Sequence, residues 1–228
     1  MNTTITNQAN NVIMTEAKAL IALSKKIPQD FENVVTLILG IKGHVIISGV
    51  GKSGHIGRKI SATLASTGTP SHFVHATEAS HGDLGALTRN DVCLLISNSG
   101  ETTELADLVS HTHRFSIPLI AISSNPQSTL MKAANFKLFL PPATEAGSIG
   151  LAPTTSTTMT LALGDALAVT LMEQRKFSSE HFKILHPGGK LGAQVINVSQ
   201  LMHRGKKMPL VKPHSSMPDT LIEMTSKG

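Results

Sequence analysis

The stretch His44-Val45-Ile46-Ile47-Ser48-Gly49-Val50-Gly51-Lys52-Ser53-Gly54 is a short apolar run that breaks into a glycine-rich turn. A continuous apolar run of this length, without alternation, fits a strand covered by helices on both faces. Four similar runs follow: Ser71–His75, Val92–Ile96, Ile117–Ile122 and Phe136–Leu140. They recur about every 20 to 27 residues, which leaves room for one helix between neighbours.

The intervening segments have helical spacing. Gly54–Thr67 carries Ile56, Ile60 and Leu64 four apart, and Glu101–Arg114 carries Leu105, Leu108 and Val109. Asn125–Ala134 is a shorter helix started by Asn125-Pro126. Two helices, Asn11–Lys26 and Asp30–Ile41, precede the first strand, and Thr154–Lys176 follows the last behind Pro153. This repetition predicts an α/β fold: a five-stranded parallel, doubly wound sheet flanked by helices. After Thr154–Lys176, glycine and proline interrupt all periodicity until Ser216–Lys227, a short helical pattern.

Composition narrows the function classes. The 228 residues carry a net charge of +5 and seven Phe, with neither Trp nor Tyr. Single-stranded nucleic acid needs exposed aromatic platforms, and the basic residues are scattered rather than striped, so no nucleic-acid partner is expected. No run approaches the ~18 apolar residues that span a bilayer, so no membrane partner is expected. The single Cys93 lies in an apolar run and excludes an intrachain disulfide. No basic region followed by an apolar stretch marks the amino terminus, and a cytoplasmic location is expected.

In open parallel sheets ligands bind beyond the carboxyl ends of the strands, near the point where strand order reverses. Gly49–Gly54 formally matches the dinucleotide fingerprint G-x-G-x-x-G, with Glu78 as a ribose acceptor. Against that reading, Lys52 would crowd the pyrophosphate and Glu78 lies three residues past its strand. A nucleotide P-loop fails because Ile46 stands where glycine is required. After the third run, Ser97-Asn98-Ser99-Gly100-Glu101-Thr102 opens a helix. The hydroxyls of Ser97, Ser99 and Thr102, joined by Ser53, form a receptacle for a doubly charged phosphate, although one of them could simply cap the helix. Lys52, Glu104, Glu145, His81 and His186 are able to move protons, and each has an ordinary structural alternative. Glu104 could be a solvated helix residue, Glu145 a loop carboxylate, His81 a turn residue and His186 a helix C-cap. No spacing of His, Cys or acidic residues matches a structural zinc site.

Together, Gly49–Arg58, Ser66–Pro70, Glu78–Asp83, Ser97–Glu101, Leu151–Thr158, Gly164–Leu167 and His186–Gly189 resemble the arabinose 5-phosphate isomerases. That resemblance implies a sugar-isomerase (SIS) domain of flavodoxin-like order. It implies interconversion of D-ribulose 5-phosphate and D-arabinose 5-phosphate for the synthesis of Kdo, an acidic sugar of lipopolysaccharide or capsule. By the same resemblance Lys52, Glu104, Glu145 and His186 are the catalytic positions. Gly68, Thr69, His75 and His81 join the four hydroxyl residues around the sugar phosphate. No cofactor is implied; His75 matches a position that can hold inhibitory or incidental zinc. The resemblance further implies a homotetramer with shared active sites, His186 being the residue lent by a neighbour. Residues 1–197 are then the SIS domain, and 198–228 a linker with the truncated start of a CBS module. The rival reading is a non-catalytic SIS sensor of sugar phosphates.

Overall fold

The computed structural model describes residues 4–187 and 202–227. The chain divides into two compact units, Met1–Phe182 and Lys183–Gly228. The domain boundary expected at 197/198 lies outside the described residues.

The first unit opens with helices α1 (Ile5–Lys25) and α2 (Phe31–Gly40). A five-stranded sheet follows: β1 (Val45–Gly49), β2 (Ser71–Phe73), β3 (Val92–Ile96), β4 (Leu119–Ser123) and β5 (Phe136–Phe139). Its order is β2-β1-β3-β4-β5, and every pairing is parallel. The connecting helices are α3 (Gly51–Ser66), α4 (Ala76–Ser80), α5 (Ala106–Phe115) and α6 (Thr129–Ala133). Helices α7 (Thr155–Gln174) and α8 (Ser179–Leu185) follow the sheet.

Side-chain alternation along the strands divides the core. Val45, Ile47, Leu94, Ile96, Ile120 and Ile122 face one layer with Ile38, Ile60, Leu64 and Leu163 of α2, α3 and α7. Ile46, Cys93, Leu95, Leu119 and Ala121 face the other, with Leu105, Leu108, Leu130 and Met131. Burial on both faces explains the uninterrupted apolar runs of β1, β3 and β4: every second residue serves a different layer, and none faces water, whereas edge strand β5 exposes Lys137. Each fully buried Leu or Ile contributes about 1.5–3 kcal/mol. Cys93 belongs to this core, where burial pushes its thiol up to about 12 and makes it inert.

Small residues set the distances between layers. A Cβ at Gly164 of α7 would overlap the Ile60 side chain of α3, so only glycine lets these two helices approach this closely. At the β1–α3 turn a Cβ on Gly54 would lie 2.6 Å from the Gly49 carbonyl oxygen, and Gly51 has φ +58°. The glycines of that turn are therefore explained by backbone packing, with no dinucleotide required.

Several local expectations are corrected. Helix α1 starts at Ile5 rather than Asn11, because Thr4 accepts the Asn7 N–H and caps it. The pattern expected to be helical from Glu101 begins as a 3-10 turn at Thr103–Leu105, with α5 only from Ala106. Gly100 at φ +70° and the extended Thr102 hold the preceding residues in a loop. Strand β2 ends at Phe73, so His75 is not a strand residue: it caps α4, its Nδ1 accepting the Thr77 N–H at 3.3 Å. The short helices α4 and α8 have too few residues to show a period.

The second unit includes a 3-10 turn, Gly205–Lys207, and helix α9 (Met217–Lys227), which exposes Met217, Leu221, Ile222 and Met224. Among the described residues no helix is long and apolar enough to cross a membrane.

Candidate functional site

Strand order reverses between β1 and β3, since β1 leads outward to β2 while β3 lies on its other side. The carboxyl ends of these two strands therefore frame a crevice. A cavity of ≈150 Å³ occupies it. Lys52 and Ser53, in the first turn of α3, form one wall; Ser156, Thr157 and Thr160, from the first turns of α7, form another; Asn98 of the β3–α5 loop closes the tip. An ammonium, a fork of hydroxyls and two helix amino ends make this an electropositive pocket of small-molecule size.

Helix α7 is held there by Glu145. Its Oε2 accepts the N–H of Thr154 at 2.8 Å, the N–H of Ser156 at 3.2 Å and the Thr154 hydroxyl at 3.3 Å. Thr154 Oγ1 in turn accepts the Ala146 N–H at 2.9 Å, closing the loop on itself. Burial pushes the Glu145 carboxyl up, but hydrogen bonds from Ser156 and Thr154 outweigh it and hold the group below the usual carboxylate range. Thr155, in the same turn, has a buried hydroxyl without a protein partner, as has Ser48 at the end of β1.

The β3–α5 loop uses its own hydroxyls internally. Ser97 is buried; its Oγ accepts the Gly100 N–H at 3.0 Å and lies 2.7 Å from Thr102 Oγ1. Ser99 Oγ accepts the Glu101 N–H at 3.2 Å. Of this loop it is Asn98, not the three hydroxyl residues, that lines the cavity with Lys52 and Ser53.

The other residues singled out from the sequence are distributed as follows. Glu104 is exposed on the 3-10 turn after the loop, its Oε2 accepting the Thr103 hydroxyl at 3.2 Å. His75 and His81 bracket α4 beyond the carboxyl end of β2, on the crevice edge of the sheet. Gly68 and Thr69 lead into β2 and so occupy the opposite edge. Thr69 is buried and accepts the Arg175 Nε–H at 3.3 Å, and a side chain on Gly68 would meet the Phe177 ring. His186 follows α8 within the second unit, its N–H donating to the Lys183 carbonyl. Within the first unit, then, Lys52 and Ser53 meet at one cavity, whereas Gly68 and Thr69 do not join them. Among the described residues no group of three or more His, Cys, Asp or Glu is arranged to hold a metal.

Sequence reasoning does not single out Asn98, Ser156, Thr157 and Thr160. The hydroxyl-rich run Thr154–Thr158 behind Pro153 is the available signal, since so many Ser and Thr exceed what one helix cap uses.

The SIS domain family matches residues 37–170. The arabinose 5-phosphate isomerase of Pseudomonas aeruginosa is 48% identical over 97% of this chain and 68% of its own length. That of Yersinia pestis is 49% identical over 95% of this chain and 66% of its own. The chain thus spans about two thirds of the length of these curated relatives. An Escherichia coli CFT073 protein solved in complex with arabinose 5-phosphate superposes with a TM-score of 0.79 at 40% identity, covering 82% of this chain and all of that one.

Proposed function

Because the chain belongs to the SIS-domain family of arabinose 5-phosphate isomerases, we propose that its switch-point cavity interconverts D-ribulose 5-phosphate and D-arabinose 5-phosphate. The observation that carries this reading is the convergence of Lys52, Ser53 and the hydroxyls of α7 on one small pocket at the amino ends of two helices. That environment suits a phosphate dianion and, beside it, an oxyanion that forms only during reaction.

In the ketose-to-aldose direction a base removes a C1 proton and the electrons form the C1–C2 double bond of a cis-enediolate. Negative charge collects on O2, where the Lys52 ammonium stabilises it. A proton then returns to C2 while the O1 proton is transferred to O2, leaving the aldehyde at C1 and a hydroxyl at C2. The phosphate supplies binding energy remote from the reacting carbons and fixes them against the base. Glu104 and Glu145 are the candidate bases. Glu145 Oε2 is committed to three donors and its basicity is lowered, which favours Glu104. We assign ring opening or oxygen proton transfer to His186 or His81, and substrate contacts to Ser53, His75, Ser97, Ser99 and Thr102.

The chemistry requires no metal or redox cofactor, so zinc at His75 would be incidental. A homotetramer sharing active sites, a cytoplasmic location, a role in Kdo formation, and a linker with the start of a CBS module over 198–228 complete the proposal.

Proton NMR of the protein with D-ribulose 5-phosphate in D₂O tests it. Arabinose 5-phosphate should form with deuterium at C2, and Lys52→Ala should abolish the signal. Binding without conversion would instead identify a sugar-phosphate sensor.

A further inference from the structure

The loop that brings Asn98 to the cavity is not held by apolar packing. Asn98, Ser99 and Glu101 are all exposed, and a second cavity of ≈370 Å³ opens beside the loop, lined by Glu101, Thr102, Thr103, Leu105 and Thr129. What holds the loop is a set of hydrogen bonds to the β4–α6 segment. The Asn98 carbonyl accepts from Ser123 Oγ, Ser124 N and Ser124 Oγ at 3.0–3.1 Å. The Gly100 carbonyl accepts the Leu130 N–H at 3.0 Å, and Gly100 itself has no room for a Cβ because Ser128 occupies that space.

Glu101 completes this brace from the far side. Oε1 accepts the Thr129 N–H at 2.9 Å and Oε2 accepts the Thr129 hydroxyl at 2.7 Å, joining residues 28 apart in sequence. Both oxygens of one carboxylate therefore grip one residue, a geometry that fixes direction as well as distance. The Thr129 hydroxyl and amide, with the Lys132 charge nearby, hold the Glu101 carboxyl below its usual range. It has a local partner in Thr129, and it does not line the cavity of Lys52 and Ser53.

We propose that Glu101 is a positioning residue: by clamping Thr129 at the start of α6 it sets the β3–α5 loop, and with it Asn98, for the substrate phosphate. This rests on the isomerase reading of the cavity. The clamp works by accepting two hydrogen bonds, and its net charge plays no part in the chemistry. Glutamine retains one carbonyl acceptor for the Thr129 N–H, while its amide can donate to the Thr129 hydroxyl once that group rotates to accept. Alanine retains neither contact.

The test compares Glu101→Ala and Glu101→Gln in the whole chain by steady-state kinetics with D-ribulose 5-phosphate and by hydrogen exchange at Gly100, Glu101, Thr129 and Leu130. Glu101→Ala should raise KM about five- to tenfold with kcat within about twofold, the pattern of lost binding rather than lost chemistry. Its amides at these four positions should exchange faster. Glu101→Gln should restore both measurements to within about twofold of the parent. Thr129→Val should raise KM by a smaller factor and add nothing to Glu101→Ala, because the two side chains act as one unit. An unchanged KM and unchanged exchange in Glu101→Ala would overturn the clamp, as would Glu101→Gln losing as much as alanine with its amides still protected. If the parent chain shows no turnover, the isomerase reading falls, and the exchange comparison still decides whether Glu101 holds the loop.

Discussion

Glu145 and Thr154 are joined twice: Oε2 of the carboxylate accepts the Thr154 backbone N–H at 2.8 Å and its hydroxyl at 3.3 Å. A loop side chain thereby supplies the acceptor that the open amino end of α7 lacks. The helix so capped is the one that carries Ser156, Thr157 and Thr160 into the cavity. Glu145→Ala should therefore destabilise the fold by about 0.5–2 kcal/mol, the usual cost of an amino-terminal cap. Glu145→Gln, which keeps one acceptor oxygen, should lose less. Thermal melts of the two variants check this, and a Gln variant less stable than Ala would contradict the capping role.

Lys52 has no ion-pair partner among the described residues and lines the cavity from the first turn of α3. Its charge is thus available to a developing oxyanion. Lys52→Ala should lower kcat by about 10²–10³-fold, as for other losses of a single oxyanion-stabilising group. Circular dichroism should show an unaltered fold, since the side chain is exposed. A loss confined to KM would reassign Lys52 to phosphate binding alone.

Gly54 has the Gly49 carbonyl oxygen 2.6 Å from where a Cβ would stand, and backbone cannot move aside as a flexible side chain can. Gly54→Ala should therefore shift the β1–α3 turn. Both stability and activity should fall, by about 1–3 kcal/mol for the overpacking and by tenfold or more in kcat/KM for misplacing Lys52. Denaturant melts with steady-state assays measure the two together; parent-like activity would show that the turn tolerates the shift.

Asp91 is buried and accepts the His44 N–H at 2.7 Å, the Thr88 N–H at 2.6 Å and the Thr88 hydroxyl at 2.8 Å. Burial pushes its carboxyl up, but these hydrogen bonds and the neighbouring His44 ring outweigh it and hold the group below its ordinary 3.8. The folded state then binds fewer protons than the unfolded state as pH falls through this range. The stabilisation is fully present above the unfolded value near 3.8 and is lost as pH drops through the lower folded value. Asp91→Asn should cost about 1–3 kcal/mol at pH 7, because an amide NH₂ then faces a partly buried N–H donor. The difference between parent and variant should shrink below pH 4 in denaturant titrations. A difference independent of pH would place the effect elsewhere.

Val92–Ile96 is legible to the residue, and the other four strands to within one or two; burial on both faces leaves an uninterrupted apolar run in β1, β3 and β4, while the edge strands β2 and β5 keep partly exposed residues. The start of α5 is not legible, because Ser97–Thr102 carries residues equally suited to a helix cap and to a self-bonded loop. What selects the loop is Gly100 seated against Ser128, a contact from a distant segment. Helix α4 escapes sequence reading for the opposite reason, being too short to repeat a pattern.

The order and spacing of apolar runs determined the doubly wound sheet, and the glycine turn after β1 marked Lys52 and Ser53, since both signals are local. Only the tertiary structure decided which polar residues meet. Asn98 and the α7 hydroxyls reach the cavity while Thr69 is turned to Arg175 at the opposite edge, and Glu145 is occupied as a helix cap. The physical reason is that chemistry depends on distances of about 3 Å between side chains far apart in the chain. A one-dimensional pattern records which element a residue joins, whereas the crossing of those elements in space settles what its polar atoms touch.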